Sequence, residues 1–235
     1  MNNELRKYSY KLEFEDGKTE TFNIFLEPST LQIVRQSKQQ PADWTKLENF
    51  ECDHCPINKE EFEYCPVAVN LEELINFFSE RASYEKVKVT VEAEERNYYK
   101  ETDLQSAVGS LMGILMPASG CPILAKLRPM LRFHLPFSDL DETEFRVFAM
   151  FSLAQFLRHK KSKEPDWEMK SLAKLYENIQ IINTNIAKQI SDLEKQDASI
   201  NSVIVLNNLA AFVSMNLDEE DFSNLNKIFS TWISD

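Results

Sequence analysis

Residues 8–15 alternate apolar and polar side chains, Asp16-Gly17 follows, and residues 19–26 alternate again. Successive side chains of a strand point to opposite faces, so two period-two runs around Asp-Gly predict a β-hairpin. Pro28 ends the second run, and residues 31–34 are a short candidate third strand. Val87-Lys88-Val89-Thr90-Val91 predicts another strand, continuing through Arg96 toward Tyr99.

Elsewhere the period changes to steps of three and four. Leu71, Leu74, Ile75, Phe77 and Phe78 predict a helix over 71–81, with Asn70 as N-cap and Glu73 placed for a capping box. A second helix is expected over 104–116, capped by Thr102 or Asp103 and ended by Pro117. Gly109 and Gly113 lie one turn apart on it and let a neighbouring backbone approach.

From Asp141 onward the pattern is helical. Asp141 with Glu144 reads as a capping box, and apolar residues from Phe145 to Leu157 surround the next helix, which is therefore expected to be central. Pro165-Asp166-Trp167 opens a long helix whose stripe is Leu172, Leu175, Ile179, Ile182, Ile186, Ile190 and Leu193. Two more helices are expected over 200–213 and 222–232. The expected fold class is α+β: an N-terminal antiparallel sheet with a cysteine-rich metal loop, then a C-terminal helical bundle. The two parts, 1–140 and 141–235, are expected to pack as one unit.

Composition narrows the function. A net charge of −12 argues against nucleic acid as a partner, because binding to phosphates by counterion release needs a basic surface. The run Arg158-His159-Lys160-Lys161 with Lys163 reads as cations offsetting a helix C-terminus. The N-terminus lacks the apolar stretch of a signal peptide, and the apolar tract 145–157 is too short and polar to span a membrane. A cytoplasmic, reducing location is expected, and with it reduced cysteines.

Those cysteines are the sharpest chemical signal. Cys52-Asp53-His54-Cys55-Pro56 is followed nine residues on by Cys65-Pro66, and fifty-five residues later by Cys121-Pro122. A Cys-x-x-Cys turn lets two thiolates point at one ion, a third cysteine closes the loop, and the fourth ties it to another element. Cys52, Cys55, Cys65 and Cys121 are therefore the expected ligands of one metal centre. Zinc is favoured on ligand softness. An iron–sulfur cluster is the runner-up, since Cys-Pro recurs beside such clusters, and haem is third. His54 is an alternative to Cys121. Four independent buried thiols are the non-functional alternative.

The stretch Arg128–Phe137 places Arg128, Arg132 and His134 among apolar residues and three prolines are spread through its neighbourhood at 122, 129 and 136. It reads either as a buried strut or as an anion or acid–base site built from His134, Arg132, Glu144 and Arg146. Arg96, Tyr98, Tyr99 and Lys100 form a candidate ligand-binding edge. Cys121 with His134 as a nucleophile pair is disfavoured, because Pro122 offers no amide to an oxyanion. No phosphate loop, dinucleotide fingerprint, His-Glu-x-x-His or Gly-x-Ser-x-Gly is present.

Taken together, Cys52-Asp53-x-Cys55-Pro56, Cys65-Pro66-Val67-Ala68-Val69-Asn70-Leu71, Glu95-Arg96, Leu104-Gln105, Ser119-Gly120-Cys121-Pro122, Phe133-His134-Leu135-Pro136-Phe137, Glu142-Thr143-x-Phe145-Arg146 and Pro165-Asp166-Trp167 resemble an uncharacterised bacterial protein family, a domain of unknown function. The resemblance covers most of the chain and implies a bacterial cytoplasmic protein with one multi-segment domain. It implies no activity. The expected function is a non-enzymatic, metal-stapled module serving a protein partner. Alternatives are an iron–sulfur redox or metal sensor, and an enzyme acting on a small anion through His134 and the arginines.

Overall fold

The hairpin forms where the alternation places it. In the computed structural model, which describes residues 4–36, 39–50, 52, 54–193, 197–219 and 222–234, β1 (Arg6–Phe14) pairs antiparallel with β2 (Thr19–Leu26). Gly17 has φ +83° at the turn, a conformation that costs glycine nothing. Residues 31–34 contribute only a bridge between Leu26 and Ile33 rather than a strand.

The run expected to continue from Val87 to Tyr99 instead folds back on itself. It gives β3 (Lys86–Glu92) and β4 (Asn97–Asp103), which pair antiparallel. Between them lie Ala93, Glu94, Glu95 and Arg96, a polar stretch that turns the chain. The sheet order is β2-β1-β3-β4, so β1 and β3 are central. Tyr8, Tyr10, Leu12 and Phe14 share one face of β1 and are buried, as are Val87, Val89 and Val91 of β3.

Two helices cover that face. The first, α1 (Pro66–Phe78), starts four residues before the expected cap. Cys65 is the N-cap and Pro66 opens the helix, where its missing N–H costs no bond. Asn70 lies inside α1 and joins it to the next element, donating to Pro66 O and to Ser119 O. The second, α2 (Leu104–Ala118), is capped by Asp103 and is almost wholly buried. Pro117 is accommodated in its last turn instead of ending it. The true centre of the molecule is therefore α2.

After a 3-10 turn (Leu124–Leu127) and the short α3 (Arg128–Leu131) comes α4 (Leu140–Lys160). Its capping box is Asp139 with Glu142, two residues before the expected pair, and this frees Glu144 for the interior. Contrary to expectation α4 is not central. Leu153, Phe156 and Leu157 are about half exposed, at 58%, 47% and 51%. Its apolar residues lie all round the axis, and the face bearing Val147, Phe148 and Phe151 is the one that is buried.

The long helix α5 (Lys170–Ser191) buries Leu172, Leu175, Ile179, Ile182, Ile186 and Ile190, as the stripe requires, while Leu193 lies beyond its end. It packs on α6 (Ala198–Asp218), and α6 packs on α2. A Cβ on Gly109 would meet Ser202 O of α6 at 3.8 Å, the backbone approach its position suggests. By length and composition α6 is apolar enough to cross a membrane. Here it lies between α2 and α5 and buries Ser199, Ser202 and Asn216. The chain ends in two short helices, α7 (Ser223–Ile228) and α8 (Ser230–Ile233).

Candidate functional site

Two groups of residues carry chemistry. The first is the cysteines. Cys52 and Cys55 sit in the loop before α1, joined by a turn in which Cys55 N donates to Cys52 O at 2.8 Å. Asn185 of α5 approaches Cys52 Sγ at 3.5 Å. Cys65 is the N-cap of α1 without a side-chain cap hydrogen bond, and the amides of Val67 and Ala68 lie near enough to its sulfur to favour the thiolate. Cys121 follows α2, and the amides of Leu124 and Ile123 lie near enough to its sulfur to favour the thiolate. Gly120, at φ +107°, lies against Pro66, bringing these two junctions together.

The thiols are close enough to feel one another's charge: Cys65 with Cys121 and Cys52, and Cys121 with Cys55. Burial pushes the Cys65 thiol up to about 11 and that of Cys121 upward as well, so both are neutral thiols at ordinary pH. Yet among the described residues no three His, Cys, Asp or Glu side chains are arranged to hold a metal ion. The four sulfurs thus share a neighbourhood without three of them forming a metal-holding group. Asp53, inside the Cys-x-x-Cys turn, lies outside the described residues, while His54 is exposed.

The second group surrounds a cavity of about 360 Å³ between α2, the segment 124–139, the start of α4, and the α5–α6 pair. Its wall is mostly apolar, with Met112, Met116, Leu124, Leu127, Ile179 and Leu206 among the lining side chains. Gly113 also lines it, and a Cβ there would meet nothing within 4 Å.

The polar side is built around His134. The segment that carries it is pinned by its own carbonyls: Arg146 Nη2 donates to Met130 O (3.0 Å) and Phe133 O (3.2 Å), and Tyr8 Oη to Leu131 O (2.9 Å). These bonds satisfy backbone groups of an irregular stretch, which would otherwise be costly to bury. Phe137 turns the chain at φ +60° and donates its N–H to Ser110 Oγ at 3.3 Å.

His134 Nε2 lies 2.5 Å from Tyr10 Oη, which lies 2.9 Å from Ser110 Oγ. One direction of donation satisfies the whole chain. Phe137 N–H donates to Ser110, Ser110 to Tyr10, and Tyr10 to His134, leaving the imidazole proton on Nδ1. Burial, with the Arg146 charge added, pushes the imidazole down to about 3, so His134 is neutral. Burial pushes the Tyr10 phenol up, so it remains a donor.

Two further lining groups lack a side-chain hydrogen bond among the described residues, and a third lacks an ion pair. Tyr176 and Asn183 of α5 are 5% and 2% exposed, and neither side chain hydrogen-bonds to another described residue. Burial pushes the Tyr176 phenol up, which keeps its proton in place. Arg146 is half-buried and forms no ion pair among the described residues. Burial lowers its affinity for a proton, and Glu142, the main opposing charge, acts from beyond ion-pair distance.

Against this frame the expected acid–base group divides. His134 and Arg146 meet at the cavity. Arg132 is exposed and does not line it, and Glu144 is buried elsewhere, accepting from Asn216 Nδ2 of α6 at 2.6 Å. Of the candidate edge on β4, Lys100 reaches the rim beside Phe137, and Tyr98 Oη donates to His134 O at 3.4 Å.

The model of one family, described as Domain of unknown function (DUF6901), matches residues 8–230. The chain belongs to this family. No curated protein and no solved structure matches it.

Sequence reasoning missed four residues of the cavity or of its hydrogen-bonded wall in this DUF6901 chain. Tyr10 and Ser110 read as ordinary strand and helix positions. Tyr176 and Asn183 carry a faint signal: they interrupt the α5 stripe, and Asn183 adjoins Ile182 on a face otherwise reserved for aliphatic side chains. A polar residue on a buried face asks for a partner.

Proposed function

We propose that this DUF6901 chain binds one small, largely apolar molecule in the cavity beside His134. The observation that carries the reading is the cavity itself. Protein interiors are packed to the density of organic crystals, so an opening of about 360 Å³ lined by apolar side chains with a few convergent polar groups is the usual form of a ligand site. At the roughly 30 Å³ that a water occupies in the liquid, it holds about a dozen heavy atoms. Binding rather than catalysis is favoured because the His134 Nε2 is committed to Tyr10 and the imidazole is held neutral by its surroundings.

Gly113→Leu tests this. The added side chain enters open space and replaces a poor helix former, so the variant folds with unchanged or raised Tm. It should lose the thermal shift that small amphipathic compounds give the parent chain. Equal shifts in both proteins would refute the cavity as the site.

A second reading concerns the cysteines and is compatible with the first. The amides near the Cys65 and Cys121 sulfurs, and thiols close enough to feel one another's charge, support a metal staple, with zinc favoured over an iron–sulfur cluster. Such a staple would fix the loop before α1 onto the helices, leaving the exposed apolar side chains of α4 for a protein partner. Closure onto an ion requires the loop to tighten, because no metal-holding group is formed among the described residues. Metal analysis of freshly purified protein tests it. Stoichiometric colourless zinc supports the staple, brown protein with iron supports the cluster, and metal-free folded protein removes both.

A further inference from the structure

The cavity has two polar stations rather than one. Tyr176 and Asn183 lie on the same face of α5, seven residues apart, with the apolar Ile179 between them. At 1.5 Å of rise per residue that separation is roughly 10 Å. Tyr176 lies within the electrostatic reach of Arg146, so phenol and guanidinium belong to one end. Asn183 stands at the other.

Each station lacks something that a ligand would supply. At the first, a guanidinium lines the cavity without an ion pair among the described residues, within electrostatic reach of a phenol that has a proton to donate. Only one Nη of Arg146 is used, on the carbonyls of Met130 and Phe133, so its remaining N–H groups are free to donate. A planar guanidinium suits a carboxylate, and a single half-buried cation balances one negative charge rather than two. Lys100 at the rim is exposed and stacked over Phe137, and the Asp139 carboxylate at the rim is engaged as the cap of α4. At the second station a primary amide, 2% exposed, offers both a donor and an acceptor. The phenol and the amide open onto the cavity without a side-chain hydrogen bond among the described residues, so they mark where ligand atoms sit.

We infer that the ligand is a bifunctional carboxylic acid: a carboxylate held by Arg146 and Tyr176, an apolar body along Met112, Met116 and Ile179, and a neutral hydroxyl, carbonyl or amide meeting Asn183. The inference rests on the cavity being the binding site and adds the class of molecule. An acid of about a dozen heavy atoms whose second polar group lies at the far end fits both the volume and the spacing.

Titration calorimetry with ω-hydroxyoctanoate, octanoate and octanol separates the claims. The expected order of affinity is ω-hydroxyoctanoate, then octanoate, then octanol. Tyr176→Phe, which removes one hydroxyl and keeps the packing, should weaken both acids about tenfold and leave octanol unchanged. Asn183→Leu should abolish the advantage of ω-hydroxyoctanoate over octanoate and leave octanoate as tight or tighter. Arg146→Gln should erase the preference for acids, and the Tyr176→Phe result stands without it if that variant fails to fold. Equal binding of acid and alcohol, untouched by these substitutions, would overturn the bifunctional acid while preserving the cavity as a site. Failure of all three probes, with Gly113→Leu also silent, would overturn the cavity reading and this inference with it.

Discussion

The cysteine loop and the cavity make opposite uses of sequence. The loop concentrates its chemistry: Cys52, Cys55 and Cys65 fall within fourteen consecutive positions, 52 to 65, and their spacing invites a metal. Folding brings Cys121 to them but does not close a ligand cage among the described residues. The cavity disperses its chemistry over Tyr10, Ser110, His134, Arg146, Tyr176 and Asn183, on elements from the first strand to the fifth helix, and folding brings them to one opening or its hydrogen-bonded wall. Short spacing reports what a turn can hold. It does not report whether the turn is drawn tight, because that depends on what packs against it. Dispersed residues report nothing until helices cross, and their burial without partners then becomes the stronger signal.

The largest expected effect lies on the cavity side. An unfolded histidine titrates near 6.5, whereas burial and Arg146 hold folded His134 down to about 3. Between those values the unfolded chain binds the extra proton, so stability rises with pH. The contribution is complete above the unfolded value and is lost as pH falls through the window, by about 1.4 kcal/mol for each pH unit. Chemical denaturation from pH 7 to 4 should show this loss superimposed on that of the carboxylates. His134→Gln should flatten the slope by that amount, and an unchanged slope would show that the imidazole is not held neutral.

On the cysteine side the effect is smaller. Gly120 adopts φ +107° between α2 and Cys121, and a Cβ there would meet Gln32 Nε2 at 3.3 Å. Gly120→Ala should cost about 1–2 kcal/mol from the backbone alone. If a metal fixes the thiols, the variant should also lose metal affinity. If the thiols are independent, urea midpoints should fall while Cys65 and Cys121 alkylate no faster in the native state. Either result sharpens the contrast between a loop held by an ion and one held by packing.

Much of the architecture was legible. Alternation in β1 and β2 and the Asp-Gly between them specify a hairpin, because only a half-buried strand rewards period two. The α5 stripe specifies a helix packed on helices. The errors have physical causes. The polar residues 93–96 form a turn that a long strand reading passed over. Aspartates at both 139 and 141 offered a cap, and the reciprocal bond between Asp139 and Glu142 decided for the first. The apolar circumference of α4 suggested a central helix, but α6, of the same length, is the more apolar of the two and took the place against α2.

The candidate site was half visible. His134 and Arg146 stood out as polar residues in an apolar segment, and both reach the cavity. Arg132 and Glu144 stood out equally and do not, because α3 and α4 point one to solvent and the other toward Asn216. Composition, period and turn chemistry act within a few residues, and so the chain alone determined its strands, its helices and its α+β class. Which polar groups would share a buried space, and which would be left there without partners, was decided only when α2, α5 and α6 packed around the segment carrying His134. Desolvation and hydrogen bonding depend on neighbours that the linear order does not name.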